Sequence, residues 1–244
     1  MSRPNDELRA VGRWHPGQRW YHPAMARVVI LLSRCVMTRM NRLEIDGRER
    51  LELLLTHRSR GLITYSNHVS ILDDPLLVSN LRLPPYREVR WIAADALNIF
   101  GNAPLAWLFT AGKAVPIMRG AGLDQPGLRF LNERLLDGAW VHIFPEGGRT
   151  RDPAALMQPT LKLGLAALIL DTSPLVLPFY HYGMHKVLPL GGKFPRRGHT
   201  VRLLIGEPLA FSETPTTEEV NATCLRSLQD LERSLHPAFE STRT

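Results

Sequence analysis

The chain has 244 residues, 44% of them hydrophobic and 22% charged, which suits one globular domain with a substantial core and excludes a largely disordered chain. A net charge of +7 and a pI of 9.9 favour anionic surfaces, lipid or nucleic acid, without choosing between them. The two cysteines, Cys35 and Cys224, have neither metal-ligand nor CxxC spacing, so a disulfide framework is not expected and a reducing compartment is.

Residues 1–24 show no clean period and read as an irregular lead-in. Met1 to Gly17 holds acidic residues without an apolar core, which argues against a secretory signal. No stretch reaches the roughly 18–20 apolar residues that a membrane-spanning helix needs. The nearest, Met25 to Met40, is punctured by Arg27, Arg34 and Arg39. A helix over Ala24–Met40 gathers these arginines within about a third of its circumference. Such a helix lies in a membrane interface, or else packs on the domain with its arginines in water; both readings stay open.

A strand is predicted over Arg42–Gly47, a helix over Arg48–His57 and a buried strand over Gly61–Tyr65. Asp73-Asp74-Pro75 has the composition of a helix start, with Leu76–Leu81 as the helix. Glu88–Ala94 reads as a strand. The apolar stretch Leu97–Thr110, broken by Gly101 and Pro104, reads as a bent hairpin or helix. Strand Ala114–Ile117, helix Pro126–Leu136 and the clear strand Ala139–Phe144 follow. Helix Lys162–Leu170, strands Leu175–Tyr180 and Thr200–Ile205, the loop Ser212–Glu219 and a helix over Glu218–Leu235 complete the chain. Strands alternating with helices argue for an α/β sheet covered on both faces, with functional loops at the strand ends.

Three segments carry candidate chemistry. His68 and Asp73 are five residues apart, about 140° around a straight helix, so they meet only if the chain turns between them. A carboxylate on one imidazole nitrogen would leave the other as general base. Phe144-Pro145-Glu146-Gly147-Gly148-Arg149-Thr150 leaves the clearest strand with glycines for close approach and with Arg149 and backbone N–H groups for an anion. Gly112–Gly120 flanks a short strand with Lys113 and Arg119, and an arginine there can grip a phosphate. Taken singly, each is also compatible with a surface loop.

In order and spacing these segments resemble the motif series of the glycerolipid acyltransferase superfamily: Asn67-His68 to Asp73, a strand ending in Arg119, Phe144-Pro145-Glu146-Gly147 to Arg149, and Val176-Leu177-Pro178. Asp73-Asp74-Pro75, Pro116-Ile117-Met118-Arg119-Gly120 and Leu177-Pro178-Phe179-Tyr180-His181-Tyr182-Gly183-Met184 are similar to the tafazzin branch, which remodels cardiolipin. Gly148-Arg149-Thr150 instead resembles the acyl-CoA-dependent lysophosphatidate acyltransferases. The resemblance covers about Met40 to Pro208.

It implies a single mixed sheet flanked by helices, with 1–47 a lead-in and interfacial helix, 48–211 the acyltransferase domain and 212–244 a closing loop and helix. His68 is then the base on a lysophospholipid hydroxyl and Asp73 its orienting partner. Asn67, Arg119, Glu146, Gly147 and Arg149 serve substrate binding. The implied activity is tafazzin-like transacylation between phospholipids on an anionic membrane surface, or transfer from acyl-CoA or acyl-ACP to 1-acylglycerol-3-phosphate. No cofactor, metal or nucleic acid is expected. The location implied is a peripheral or monotopic one, on the cytoplasmic face of a bacterial inner membrane or, in a eukaryote, on a mitochondrial membrane.

Other readings were weighed. His142, alternating within a strand, is expected to be a satisfied core residue. His181 and His185 have i, i+4 spacing but no helical context for a metal pair. A metal-dependent hydrolase would use Asp73, Asp74, Glu146 and His142 as ligands. A non-catalytic membrane or nucleic-acid binder would rest on the charge alone.

Overall fold

The computed structural model describes residues 11–16, 19–57, 59–81 and 85–242. The expectations that fall on residues 1–10, 17, 18, 58, 82–84, 243 and 244 therefore lie outside the described residues. The strands are β1 (Arg42–Asp46), β2 (Leu62–Ser66), β3 (Trp91–Asp95), β4 (Ala114–Ile117), β5 (Trp140–Ile143), β6 (Leu175–Tyr182) and β7 (Thr200–Ile205). They form one sheet in the order β1-β7-β6-β2-β5-β3-β4. Every pairing is parallel except β6 with β7, so the sheet is mixed and β1 and β7 run against the other five.

Strand periodicity of two sorts the core between the faces. Ile63, Tyr65, Val141, Ile143, Val176 and Tyr180 pack on one face against α5 (Pro126–Leu136), α6 (Gly164–Thr172) and α7 (Thr217–Leu235). Leu62, Trp140, Leu177 and Phe179 point to the other face, under α2 (Arg48–His57). With both faces covered, β2 is buried along its whole length.

Several boundaries differ from the sequence reading. The first long helix, α1, runs His22–Cys35 and widens into a π-helical turn, Val36–Met40, where the Asn41 side-chain amide donates to Val36 O (3.1 Å) and Arg196 O (3.0 Å). The lead-in docks on the body through the Trp14 ring, which stands edge-on to Phe130 with centroids 5.0 Å apart. The apolar stretch after β3 is two helices, α3 (Ala96–Phe100) and α4 (Ala103–Ala111), capped by the Asp95 and Asn102 side chains through Asn98 N and Leu105 N. The segment after Asp73 is π-helical, Asp74–Val78, passing into an α turn, Ser79–Leu81. Asp73 does not cap it, because its carboxylate turns back toward residues 68–70.

The strand polarity positions the candidate site. The C-terminal ends of β6, β2, β5, β3 and β4 lie along one edge, and His181, His68, Glu146, Asp95 and Arg119 all sit at or just beyond those ends. Because β1 runs the opposite way, the C-terminal end of α1 reaches this same edge.

Candidate active site at the strand ends

Residues 67–73 leave β2 and turn tightly enough for His68 Nδ1 to meet Asp73 Oδ2 at 2.9 Å. The same oxygen accepts the N–H groups of Val69 and Ser70, each at 2.8 Å, so the carboxylate is fixed before it touches the imidazole. Burial pushes the Asp73 carboxyl up, but the imidazoles of His181 and His68 and the Ser70 N–H outweigh it and hold it below its ordinary value. An ionised Asp73 accepts the Nδ1–H hydrogen bond and leaves Nε2 of His68 as the basic nitrogen. The His68 side chain is 17% exposed and stacks on Phe144, with centroids 4.2 Å apart and planes 15° from parallel.

The glycine turn after β5 clamps His68 through its backbone. His68 N donates to Glu146 Oε1 (2.6 Å), and Thr150 N donates to His68 O (2.8 Å). Glu146 is buried, and its second oxygen accepts Gln158 N at 2.7 Å. Both carboxylate oxygens therefore bind the scaffold. Burial pushes the Glu146 carboxyl up to about 7, against the Gln158 and His68 N–H groups that pull it down.

Arg119 lies beside this turn. Its Nε bonds Asp95 Oδ2 at 2.7 Å, and its Nη1 would lie 3.4 Å from a Cβ placed on Gly148. Gly147, at φ +71°, carries the aliphatic stem of Lys162, whose Cγ would be 2.8 Å from a Cβ there. Arg149 is half-buried on the same turn. Gly147 thus lets the Lys162 stem approach the backbone where a side chain would crowd it, while a Cβ on Gly148 would meet Arg119 only at ordinary contact distance.

Asn67 works on the other side of His68. Its side chain donates to His181 O and accepts from His181 N, both at 2.9 Å, tying β2 to β6. Lys113 is buried away from this edge. At φ +63° its ammonium donates to Arg87 O and Val89 O, both at 3.0 Å, between the Tyr86 and Trp91 rings.

The ligands of the hydrolase reading are each committed to protein partners. Asp74 pairs with Arg90, and both Glu146 oxygens hold N–H groups. His142 is wholly buried, bonds Thr64 Oγ1 at 2.8 Å, and is pushed well below its usual pKa by burial, so it stays neutral in the core.

A family model described as Acyltransferase matches residues 42–182, which carry this whole constellation. The chain belongs to that family. It is 33% identical over 209 residues to tafazzin of Drosophila melanogaster, covering 82% of this chain and 54% of the fly protein. It is also 33% identical over 197 residues to an N-acylphosphatidylethanolamine synthase of Arabidopsis thaliana, covering 75% and 68%. The chain thus spans about half to two thirds of the length of these relatives. The fold matches that of the 1-acyl-sn-glycerophosphate acyltransferase PlsC from Thermotoga maritima, with a TM-score of 0.65 at 20% identity, over 90% of this chain and 85% of that one. The chain is a tafazzin-like member of the glycerolipid acyltransferase superfamily.

Three side chains at this edge escaped the sequence reading in these positions: Asp95, which holds Arg119; Lys162, over Gly147; and His181, weighed only as a metal ligand. Asp95 directly follows the predicted strand Glu88–Ala94, and that place at a strand end is the signal that points to it.

Proposed function

We propose that this acyltransferase is membrane-associated and moves a fatty acyl chain onto a lysophospholipid hydroxyl, by tafazzin-like exchange between phospholipids. The observation that carries this reading is the 2.9 Å bond between His68 Nδ1 and an Asp73 carboxylate fixed by two backbone N–H groups. His68 Nε2 takes the hydroxyl proton as the oxygen attacks the acyl carbonyl carbon, and Asp73 balances the charge of the imidazolium. As the tetrahedral intermediate collapses, the bond from the carbonyl carbon to the donor oxygen breaks. His68 Nε2–H then protonates that oxygen, giving the donor as a lysophospholipid and restoring the neutral base. No acyl-enzyme is needed.

Arg119 beyond β4 and Arg149 on the glycine turn bind the head-group phosphate, where planar guanidinium groups suit phosphate oxygens. Glu146 and Gly147 serve binding indirectly, by setting the shape of that turn. Asn67 holds the strand ends together beneath it. An apolar cavity of about 250 Å³ lies between α1 and α4, walled in part by Leu72 and Pro75 next to Asp73, and suits an acyl chain.

Membrane association is supported by apolar side chains facing outward. Val28, Leu31 and Leu32 of α1 are 56%, 53% and 63% exposed, and Trp107 of α4 is 53% exposed. Among the described residues no helix is long and apolar enough to cross a membrane. Such helices can lie in an anionic interface, a membrane surface that the +7 charge favours.

Transfer to 1-acylglycerol-3-phosphate from acyl-CoA or acyl-ACP is the second reading, favoured by Gly148-Arg149-Thr150 and by 27% identity over 199 residues to a protein named as a chloroplastic 1-acyl-sn-glycerol-3-phosphate acyltransferase of Arabidopsis thaliana. The test is purified protein with a labelled lysophospholipid and either a diacyl phospholipid or acyl-CoA. Transfer from the diacyl lipid is expected, and transfer from acyl-CoA alone would establish the second reading. His68→Ala is expected to lower kcat by about 10²–10⁴-fold while the protein stays folded. Full activity in that variant would refute His68 as the base.

A further inference from the structure

His181 is the second imidazole at the Asp73 carboxylate, and the mechanism above does not use it. It is 1% exposed at the end of β6, with Nε2 3.1 Å from Asn67 O and 3.6 Å from Asp73 Oδ2, the oxygen that His68 also engages. A carbonyl oxygen only accepts, so the contact to Asn67 O assigns a hydrogen to Nε2. Nδ1 is buried and meets no hydrogen-bond partner among the described residues. A proton there would have nowhere to donate, and burial pushes this imidazole's pKa down despite Asp73. The hydrogen that His181 presents to Asn67 O and toward Asp73 is therefore the one on Nε2.

Asn67 O belongs to the peptide that joins Asn67 to His68. The N–H of that same peptide donates to Glu146 Oε1 at 2.6 Å. His181, together with the Ser66 hydroxyl that donates to the same carbonyl at 3.1 Å, thus holds one edge of the peptide plane while Glu146 holds the other, and the Cα of His68 follows directly. The hold is stiffened by the paired bonds between the Asn67 side chain and the His181 backbone, both at 2.9 Å. The imidazole can aim Nε2 at a substrate hydroxyl only as accurately as this peptide is fixed.

We propose that His181 is a positioning residue for acyl transfer: its Nε2–H fixes the Asn67–His68 peptide and flanks the Asp73 carboxylate, holding His68 in its working orientation. This rests on the reading of His68 as the base. Glutamine places an amide nitrogen near the position of Nε2, asparagine places one too close to the backbone to reach Asn67 O, and phenylalanine fills the space with no donor.

The test is kcat and KM for a labelled lysophospholipid in His181→Gln, His181→Asn and His181→Phe, beside His68→Ala, with a thermal melt of each. A misplacement of about 1 Å costs roughly 10²-fold, so kcat is expected to fall on the order of 10- to 100-fold in the Asn and Phe variants, with KM within about twofold. The Gln variant is expected to stay within about threefold of the parent. Equal kcat in the Gln and Asn variants, or a change in KM alone, overturns the proposal, and the Gln–Asn pair decides it if the Phe variant does not fold. An active His68→Ala would instead overturn the base assignment on which it rests.

Discussion

Glu146 shows at the scale of one residue how a motif carboxylate is committed to the scaffold, with both oxygens accepting backbone N–H groups. Its position after a strand in a Pro-Glu-Gly-Gly turn is visible in the sequence, and a head-group contact is the natural expectation. The destination of its two oxygens is not visible, because it depends on Gln158, twelve residues on, and on the peptide N–H of His68, 78 residues back. The arrangement has a pH signature. The carboxyl lies at about 7 in the fold against an ordinary 4.5, so between those values the folded chain holds a proton that the unfolded chain has lost. Stability from this group is full below about 4.5 and is lost as pH rises through about 7, by about 3 kcal/mol. Urea unfolding of the parent and Glu146→Gln at pH 5 and pH 8 reads this directly. The parent's advantage over the variant is expected to shrink at pH 8, and an advantage that grows would contradict the raised carboxyl.

At the scale of elements, the α/β alternation was legible because periodicity survives folding. Val141 and Ile143 face one cluster and Trp140 the other, as a period of two requires. Helix α5 was legible from Leu128, Leu131 and Leu135. Two kinds of feature were not. The π-helical turns at Val36–Met40 and Asp74–Val78 depend on partners far along the chain, Arg196 for the first and Arg90, through its pair with Asp74, for the second. Close approaches between elements leave no periodic trace either. Gly127, in the first turn of α5, lies so near β4 that a Cβ would stand 2.1 Å from Pro116 O, against backbone that cannot step aside. Gly127→Ala is accordingly expected to destabilise the fold by about 1–3 kcal/mol, seen as a lower urea midpoint with an unchanged slope. Since β4 leads to Arg119, an unshifted midpoint would mean that helix and strand separate more easily than their packing implies.

At the scale of the whole molecule, charge and exposed apolar surface ask for the same partner. Buried residues of α1, Ala26 and Ile30, face the body, where α1 packs on the Asp74–Val78 turn and on α4. Val28, Leu31 and Leu32 face outward among Arg27 and Arg39, so apolar side chains and cations share one exposed surface. In water that surface is unfavourable, and at an anionic interface both components gain. Because α1 ends at the strand edge that carries His68, docking through it would bring that edge to the lipid. Burying a leucine side chain is worth about 1.5–3 kcal/mol, so Leu32→Glu is expected to weaken binding to vesicles containing anionic phospholipid by roughly tenfold or more. Trp107→Glu is expected to act in the same direction. Raising salt from about 0.1 M to about 1 M shortens the screening length from about 10 Å to about 3 Å and should weaken the parent's binding to anionic vesicles while leaving a weaker, apolar component. Co-sedimentation with vesicles measures all three, and unchanged partitioning in both variants would overturn α1 and α4 as a membrane-binding surface.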